Sequence, residues 1–182
     1  MLRKFRDNRF KKALSRRKEI VSRVVVNKSF EESRTFLLLF DSTTEEKYNE
    51  FTRILSSLQV NNKKVHAIGF HGLPKQPEWC ANSIHVSFIG KNDMNSSNIP
   101  SDAIVDEYIS EPYDVLVDLT YCMNPVFHWI TALSAARLKI GAPSRQNQHF
   151  FDITIDVENG KTQEDIIKLA IEFQNMFQKR TI

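Results

Sequence analysis

Residues 34–70, RTFLLLFDSTTEEKYNEFTRILSSLQVNNKKVHAIGF, decide the fold class of this chain. They begin with a short apolar run, 34–40, which is typical of a strand buried on both faces. Ser and Thr residues that can cap a helix follow, and then apolar residues recur every three or four positions from Tyr48 to Leu58. This spacing predicts an amphipathic helix, and 63–70 predicts a second strand. Strand, helix and strand in this order form a βαβ unit, whose strands pair in parallel through a right-handed crossover.

The alternation of predicted strands and helices continues towards the C-terminus. The strand at 150–157 alternates apolar and polar residues, so we expect it at an edge of the sheet, antiparallel to its neighbour. Together the patterns predict an α/β, Rossmann-like three-layer domain with a mostly parallel sheet over residues 29–182. Further strands are predicted at 84–89, 113–120, 138–140 and 150–157, and further helices at 102–109, 125–137 and 162–179.

Residues 1–28 form a basic arm in front of this domain. They contain eleven Lys or Arg residues and two acids, a charge of +9, whereas the whole chain carries +3 and residues 29–182 therefore carry −6. Residues 2–22 lack Gly and Pro and are rich in good helix formers, which predicts a basic N-terminal helix. This segregation of charge favours an anionic partner. The residues predicted to bind it are Arg3, Lys4, Arg6, Arg9, Lys11, Lys12, Arg16, Arg17 and Lys18.

RNA or a nucleoprotein is the partner that we expect first for the arm, because Lys and Arg neutralise phosphates and Phe5 and Phe10 supply rings for stacking. This interpretation predicts a non-catalytic binding protein. Two other interpretations stay open. In the first, the helix lies on an anionic membrane surface. This interpretation is less favourable, because arginines interrupt the apolar face of the helix. Alternatively, the arm packs on an acidic protein surface, and the chain is a protein–protein scaffold.

A second candidate site lies at the carboxyl ends of the predicted parallel strands. Ligands of open α/β sheets bind there, at the point where the strand order reverses. The polar residues at these ends predict a small-ligand crevice made by Asp41, Ser42, His71, Asp118 and Thr120. Helix capping explains some of the same residues without a ligand, because Asp, Ser and Thr are also preferred at such turns. An enzyme or a sensor for a nucleotide-sugar or another small ligand is the alternative function.

Several common sites are missing from the sequence. The five glycines form neither GxGxxG nor GxxxxGK[ST], so we expect no nucleotide cofactor of a common type. The histidines at 66, 71 and 85 and Cys80 have poor spacing for metal ligands, and we expect no metal. Cys122 and His128 are a nominal nucleophile and base, but a free cysteine more often fills space, and we predict no catalytic residue.

Cysteine usage and hydropathy give an expectation for location. The two cysteines, Cys80 and Cys122, are far apart and show no disulfide pattern. The sequence contains no run of about 18 apolar residues, so no membrane span is predicted. We therefore expect a cytoplasmic protein.

Two segments resemble known families. Residues 113–120, YDVLVDLT, and 132–141, ALSAARLKIG, resemble a small uncharacterised bacterial α/β domain family that has the same arm, and the resemblance covers most of the chain. The segments are also distantly similar to the N-terminal half of the ADP-heptose glycosyltransferases, where a Y/F-D-x-x-x-D-L strand, a helix and a K/R-x-I-G strand recur in order. This similarity implies a Rossmann-like fold. It implies no catalytic residue here, because the glycine-aspartate turn of those enzymes is replaced by residues 40–44, FDSTT.

Overall fold

The computed structural model describes residues 2–121, 124–142, 148–156 and 161–178, and a six-stranded sheet lies at its centre. The strands are β1 (Thr35–Asp41), β2 (Lys64–Phe70), β3 (Val86–Ile89), β4 (Val115–Asp118), β5 (Leu138–Gly141) and β6 (Ile153–Thr154). The helices are α1 (Leu2–Lys18), α2 (Glu45–Val60), α3 (Asp102–Ser110), α4 (Pro125–Leu133) and α5 (Gln163–Gln178).

All six strands are parallel, in the order β3-β2-β1-β4-β5-β6. This order is that of a Rossmann-like sheet, so the predicted fold class is confirmed. The expectation of an antiparallel edge strand is wrong, because β6 pairs in parallel with β5 through Ile140 and Ile153. Alternating hydrophobicity indicates that a strand is half-buried, but it does not indicate the direction of the strand. The direction depends on where the preceding connection returns to the sheet. Val157, at the end of the predicted strand, lies outside the described residues.

Helices cover both faces of the sheet and enclose one apolar cluster on each. On one face, Leu38 of β1 packs in a cluster with Phe51 of α2 and Ile166 of α5. On the other face, Leu37 shares a cluster with residues of α1, α3 and α4, among them Ile130. Since neighbouring residues of a strand point to opposite faces, the continuous apolar run of β1 supplies both clusters.

Three helix starts follow the capping signals of the sequence. Thr44 accepts a hydrogen bond from the Lys47 backbone N–H through its side chain, and Asn124 caps α4, with proline at the next position. Thr162 and Asp165 form the predicted capping box, in which each side chain accepts from the other's backbone N–H at 3.0 and 3.2 Å. These local signals are confirmed.

Several predicted elements are longer than the structure makes them, among them α1, α4 and β3. Helix α1 ends at Lys18 and not at residue 22. Helix α4 ends at Leu133 and not at 137, because Ser134 is extended and the next backbone N–H, of Ala135, bonds to Ile109 of α3. Strand β3 begins at Val86, where it first pairs with β2, and Ile84 is left 92% exposed.

Helix α1 is docked on the domain through two apolar anchors. Phe10 and Leu14 are buried. The ring centre of Phe10 lies 5.5 Å from the ring centres of both His128 and Trp129 of α4. The chain that follows is also attached, because Arg23 makes a two-pronged ion pair with Asp152 at 2.8 and 2.5 Å. The predicted arm therefore contacts the body over much of its length.

Replacing Phe10 by alanine is expected to lower the free energy of unfolding by about 3 kcal/mol and to loosen α1, because a buried aromatic anchor is lost. Limited proteolysis measures the loosening, since α1 is rich in Lys and Arg and trypsin cuts a frayed helix faster. Phe5→Ala is the matched control, because Phe5 is on the same helix and is 69% exposed. Equal cleavage rates for the two variants would contradict the anchoring role of Phe10.

Candidate functional site

The polar edge of the sheet lies at its topological switch point. From the carboxyl end of β1 the chain continues into α2 on one face, and from β4 it continues into α4 on the other, although the two strands are neighbours. A gap opens between connections that diverge in this way. A crevice with a volume of about 520 Å³ occupies this place, and we call it the switch-point crevice. Its charged and polar walls include Arg6, Asp41, Thr43, Lys91, Asn98 and Thr120. Its apolar walls are Phe70, Met94, Pro125 and Phe127.

Asp41 lines the crevice, but its charge is already balanced. One carboxylate oxygen accepts from the Thr43 backbone N–H at 2.8 Å and from the Thr43 hydroxyl at 2.7 Å. The other oxygen accepts from Lys47 Nζ at 2.5 Å. Asp41 therefore shapes the turn into α2, as the capping explanation predicts.

Asp118 lies beneath the crevice at the end of β4 and is 4% exposed. Its Oδ1 accepts from the backbone N–H of Thr120 at 3.0 Å and from the Thr120 hydroxyl at 2.7 Å. Burial raises the pKa of Asp118 to about 7, although both hydrogen bonds from Thr120 act in the opposite direction. Thr120 itself lines the crevice.

Ser42 and His71, the other two predicted crevice residues, are buried and are not among its lining residues. The Ser42 backbone N–H donates to the Phe70 carbonyl at 3.0 Å, which extends the contact between the ends of β1 and β2. The His71 ring accepts from the Leu73 backbone N–H at 3.2 Å and packs so closely on Gly90 that a Cβ there would lie 2.4 Å away. Burial lowers the pKa of His71, which favours its neutral form. Both residues thus organise loops behind the crevice.

The two cations in the lining of the crevice, Arg6 and Lys91, were not predicted to lie there. Arg6 comes from α1, where sequence reasoning placed it on the arm, and Lys91 follows β3. The turn after Lys91 is tightly built: Asn95 Oδ1 accepts from the Ser97 backbone N–H at 2.8 Å, and Asn98 adopts a φ of 58°. Asn tolerates this left-handed conformation better than most residues. The asparagines between residues 91 and 101 are the sequence feature that could have indicated this wall.

The basic residues of α1 take different places around the helix. Phe5, Arg9, Lys12 and Arg16 follow an i, i+4, i+7, i+11 spacing, are all exposed, and lie opposite the anchors Phe10 and Leu14. We call these four residues the outer stripe.

The remaining cations of the arm lie elsewhere. Arg17 forms ion pairs with Asp102 and Asp106 of α3, and its guanidinium lies 5.8 Å from the Trp129 ring centre. Lys18 Nζ lies 4.6 Å from the ring centre of Phe150. Lys4 and Lys11 are exposed, with Lys11 on the side of the anchor Phe10 and of His128, and the side chain of Arg3 lies outside the described part.

The described residues give little support for a metal site or for a catalytic cysteine. Over 2–121, 124–142, 148–156 and 161–178, no group of three or more His, Cys, Asp or Glu side chains is arranged to hold a metal ion. Cys80 is buried, and burial raises the pKa of its thiol, which weakens it as a nucleophile. Cys122 lies outside the described residues, and burial lowers the pKa of His128 to about 4. Within the same ranges, no helix combines the length and the apolar character that crossing a bilayer requires.

Comparison with known proteins gives a family without an assigned role. A family model described as "Family of unknown function (DUF6913)" matches residues 3–171. No curated protein and no solved structure matches the chain. A relationship to the glycosyltransferases is therefore not shown.

Proposed function

Since this chain belongs to a family of unknown function (DUF6913), we propose a function from its own surface: it is a non-catalytic protein that binds single-stranded RNA on the outer stripe of α1. The observation that carries the proposal is the way α1 is held. Phe10 and Leu14 are buried against the domain, so the opposite side of the helix is presented to solvent.

The three cations of the outer stripe are available for an external anion. Arg9, Lys12 and Arg16 are exposed, and none of them forms an ion pair with a carboxylate of the described residues. Arg17, in contrast, is held by two carboxylates, so we leave it out of the binding surface. Unpaired cations on a fixed helix neutralise phosphates with little loss of backbone entropy.

Phe5 favours a single-stranded nucleic acid over other polyanions. Its ring is 69% exposed and shares the outer stripe with the cations. Aromatic rings among phosphate-binding cations are used for single strands, because the bases of a single strand are accessible for stacking. A membrane surface is less favoured, since the two buried apolar anchors of α1 are not available for insertion.

The triple variant Arg9→Gln/Lys12→Gln/Arg16→Gln is expected to weaken the binding of a single-stranded RNA of about twelve nucleotides by about tenfold at moderate salt. Each lost phosphate contact also lowers the salt dependence, so the slope of log K against log salt should fall by about 2. Fluorescence anisotropy over a salt series measures both quantities. Phe5→Ala is expected to weaken binding by about fivefold, because one stacking contact is lost.

The matched control neutralises three exposed lysines elsewhere on the domain, as Lys64→Gln/Lys75→Gln/Lys168→Gln. Both triple variants change the net charge by the same amount, so an effect of net charge alone would appear in both. RNA binding that does not depend on salt, or an equal loss in both variants, would rule out the outer stripe as the binding surface. Binding of anionic vesicles that falls with salt and with Phe5→Ala, without RNA binding, would favour the membrane alternative.

A further inference from the structure

The switch-point crevice has a net positive lining. Its cations are Arg6 and Lys91, whereas its carboxylate, Asp41, is compensated by Lys47 at 2.5 Å. Asp118, beneath the crevice, has a pKa raised by burial and contributes at most part of a negative charge at neutral pH. Among the described residues, the lining therefore has two cations without a carboxylate partner, Arg6 and Lys91, which match the two charges of a phosphate monoester.

One wall of the crevice is apolar and aromatic. Phe70 and Phe127 are in edge-to-face contact, with ring centres 6.4 Å apart, and Met94 also lines the crevice. An apolar wall facing cationic and amide side chains suits a ligand with a planar ring at one end and an anion at the other. Asn98, also in the lining, can donate and accept hydrogen bonds at the edge of such a ring.

The size of the crevice agrees with a ligand of this kind. Its volume of about 520 Å³ falls within the range of small-molecule sites. Arg6 reaches it from α1, which Phe10 and Leu14 hold in place, so both walls are formed before a ligand arrives.

We propose that the switch-point crevice binds a nucleoside monophosphate, with the phosphate held by Arg6 and Lys91 and the base against the wall of Phe70 and Met94. This site is separate from the outer stripe, because none of the outer-stripe residues lines it. The ligand is a free nucleotide or the terminal nucleotide of a strand, which share this chemistry. No covalent step is involved.

Titration of the full chain with AMP, GMP, CMP and UMP, followed by NMR of backbone amides, tests the site. We expect at least one of these nucleotides to bind with a Kd of about 1 mM or lower and to shift the signals of residues 6, 91 and 98. Adenosine and inorganic phosphate are expected to bind about tenfold more weakly than AMP, because each makes only part of the contacts. A short 5′-phosphorylated RNA, whose end nucleotide carries the same 5′-phosphate as AMP, separates the two sources: competition with AMP identifies a terminal nucleotide, and its absence identifies a free one.

Arg6→Gln and Lys91→Gln are each expected to weaken nucleotide binding by about tenfold, since each removes one charge-assisted contact with the phosphate. Both side chains are exposed, so the variants should fold normally, and Lys75→Gln is the matched control. The Arg9/Lys12/Arg16 triple variant should keep nucleotide binding, which separates failure of this site from failure of the outer stripe. The proposal is overturned if none of the four nucleotides shifts these signals at about 5 mM, or if the Arg6 and Lys91 variants bind like the unmodified protein.

Discussion

Lys139→Met is expected to raise the free energy of unfolding by about 3 kcal/mol at pH 6. Lys139 lies on β5, is 3% exposed, and its Nζ donates to the Thr131 carbonyl at 2.6 Å. Burial lowers the pKa of Lys139 from 10.5 to about 7, and repulsion from Arg23 and Lys18 acts in the same direction. The nearby carboxylate of Asp152 is engaged by Arg23, so it compensates this ammonium only in part.

The sign of the effect gives it a distinctive pH dependence. Between pH 7 and 10.5 the unfolded chain binds a proton on Lys139 that the folded protein lacks, so the stability of the unmodified protein rises with pH in this window. Below about pH 7 both states are protonated and the whole cost of burying the charge is present. Methionine keeps most of the buried volume but loses the hydrogen bond, which offsets the gain by about 1 kcal/mol.

Urea unfolding at pH 6 and at pH 9.5 measures the difference between the two proteins. We expect the advantage of Lys139→Met to fall below about 1 kcal/mol at the higher pH. Lys168→Met, at an exposed position of α5, is the matched control and should change stability little at either pH. An advantage that is equal at both values would show that the gain comes from packing and not from the buried charge.

Asp118→Asn is expected to show the opposite pH dependence and to stabilise the protein by about 3 kcal/mol at pH 8.5. Burial raises the pKa of Asp118 from 3.8 to about 7, so the folded protein holds a proton that the unfolded chain releases between these values. The contribution of Asp118 to stability therefore falls as pH rises through this window. An asparagine oxygen can accept the same two hydrogen bonds from Thr120, so the change mainly removes the cost of the charge.

The comparison is made by urea unfolding at pH 4.5 and pH 8.5. At pH 4.5 the carboxyl of Asp118 is protonated in the folded protein, so the two proteins should differ by about 1 kcal/mol or less. Asp156→Asn, at an exposed position, is the control for a general effect of removing one negative charge. A loss of stability at pH 8.5 would mean that the ionised carboxylate has a partner that the asparagine cannot replace.

Local patterns were sufficient for most of the fold. The apolar run before Asp41, the spacing in α2 and the caps at Thr44 and Asn124 all depend on residues a few positions apart. Such interactions are formed within one element, so they are readable before the elements meet. The segregation of charge between residues 1–28 and 29–182 is likewise a property of the sequence itself.

The candidate sites depended on contacts that the sequence does not reveal. Of the predicted crevice residues, Asp41 and Thr120 line it, whereas Ser42, His71 and Asp118 are buried behind it. Exposure depends on which neighbouring segment covers a strand end, and no local pattern encodes that neighbour.

By itself, then, the sequence determined the order and type of the strands and helices, most of their caps and the basic character of α1. Only the tertiary structure decided the direction of β6, the arrival of Arg6 at the switch-point crevice and the pairing of Arg17 with Asp102, 85 residues away along the chain. The physical reason is one of range: periodicity and capping act over a few residues, whereas burial and charge pairing act between surfaces that folding brings together.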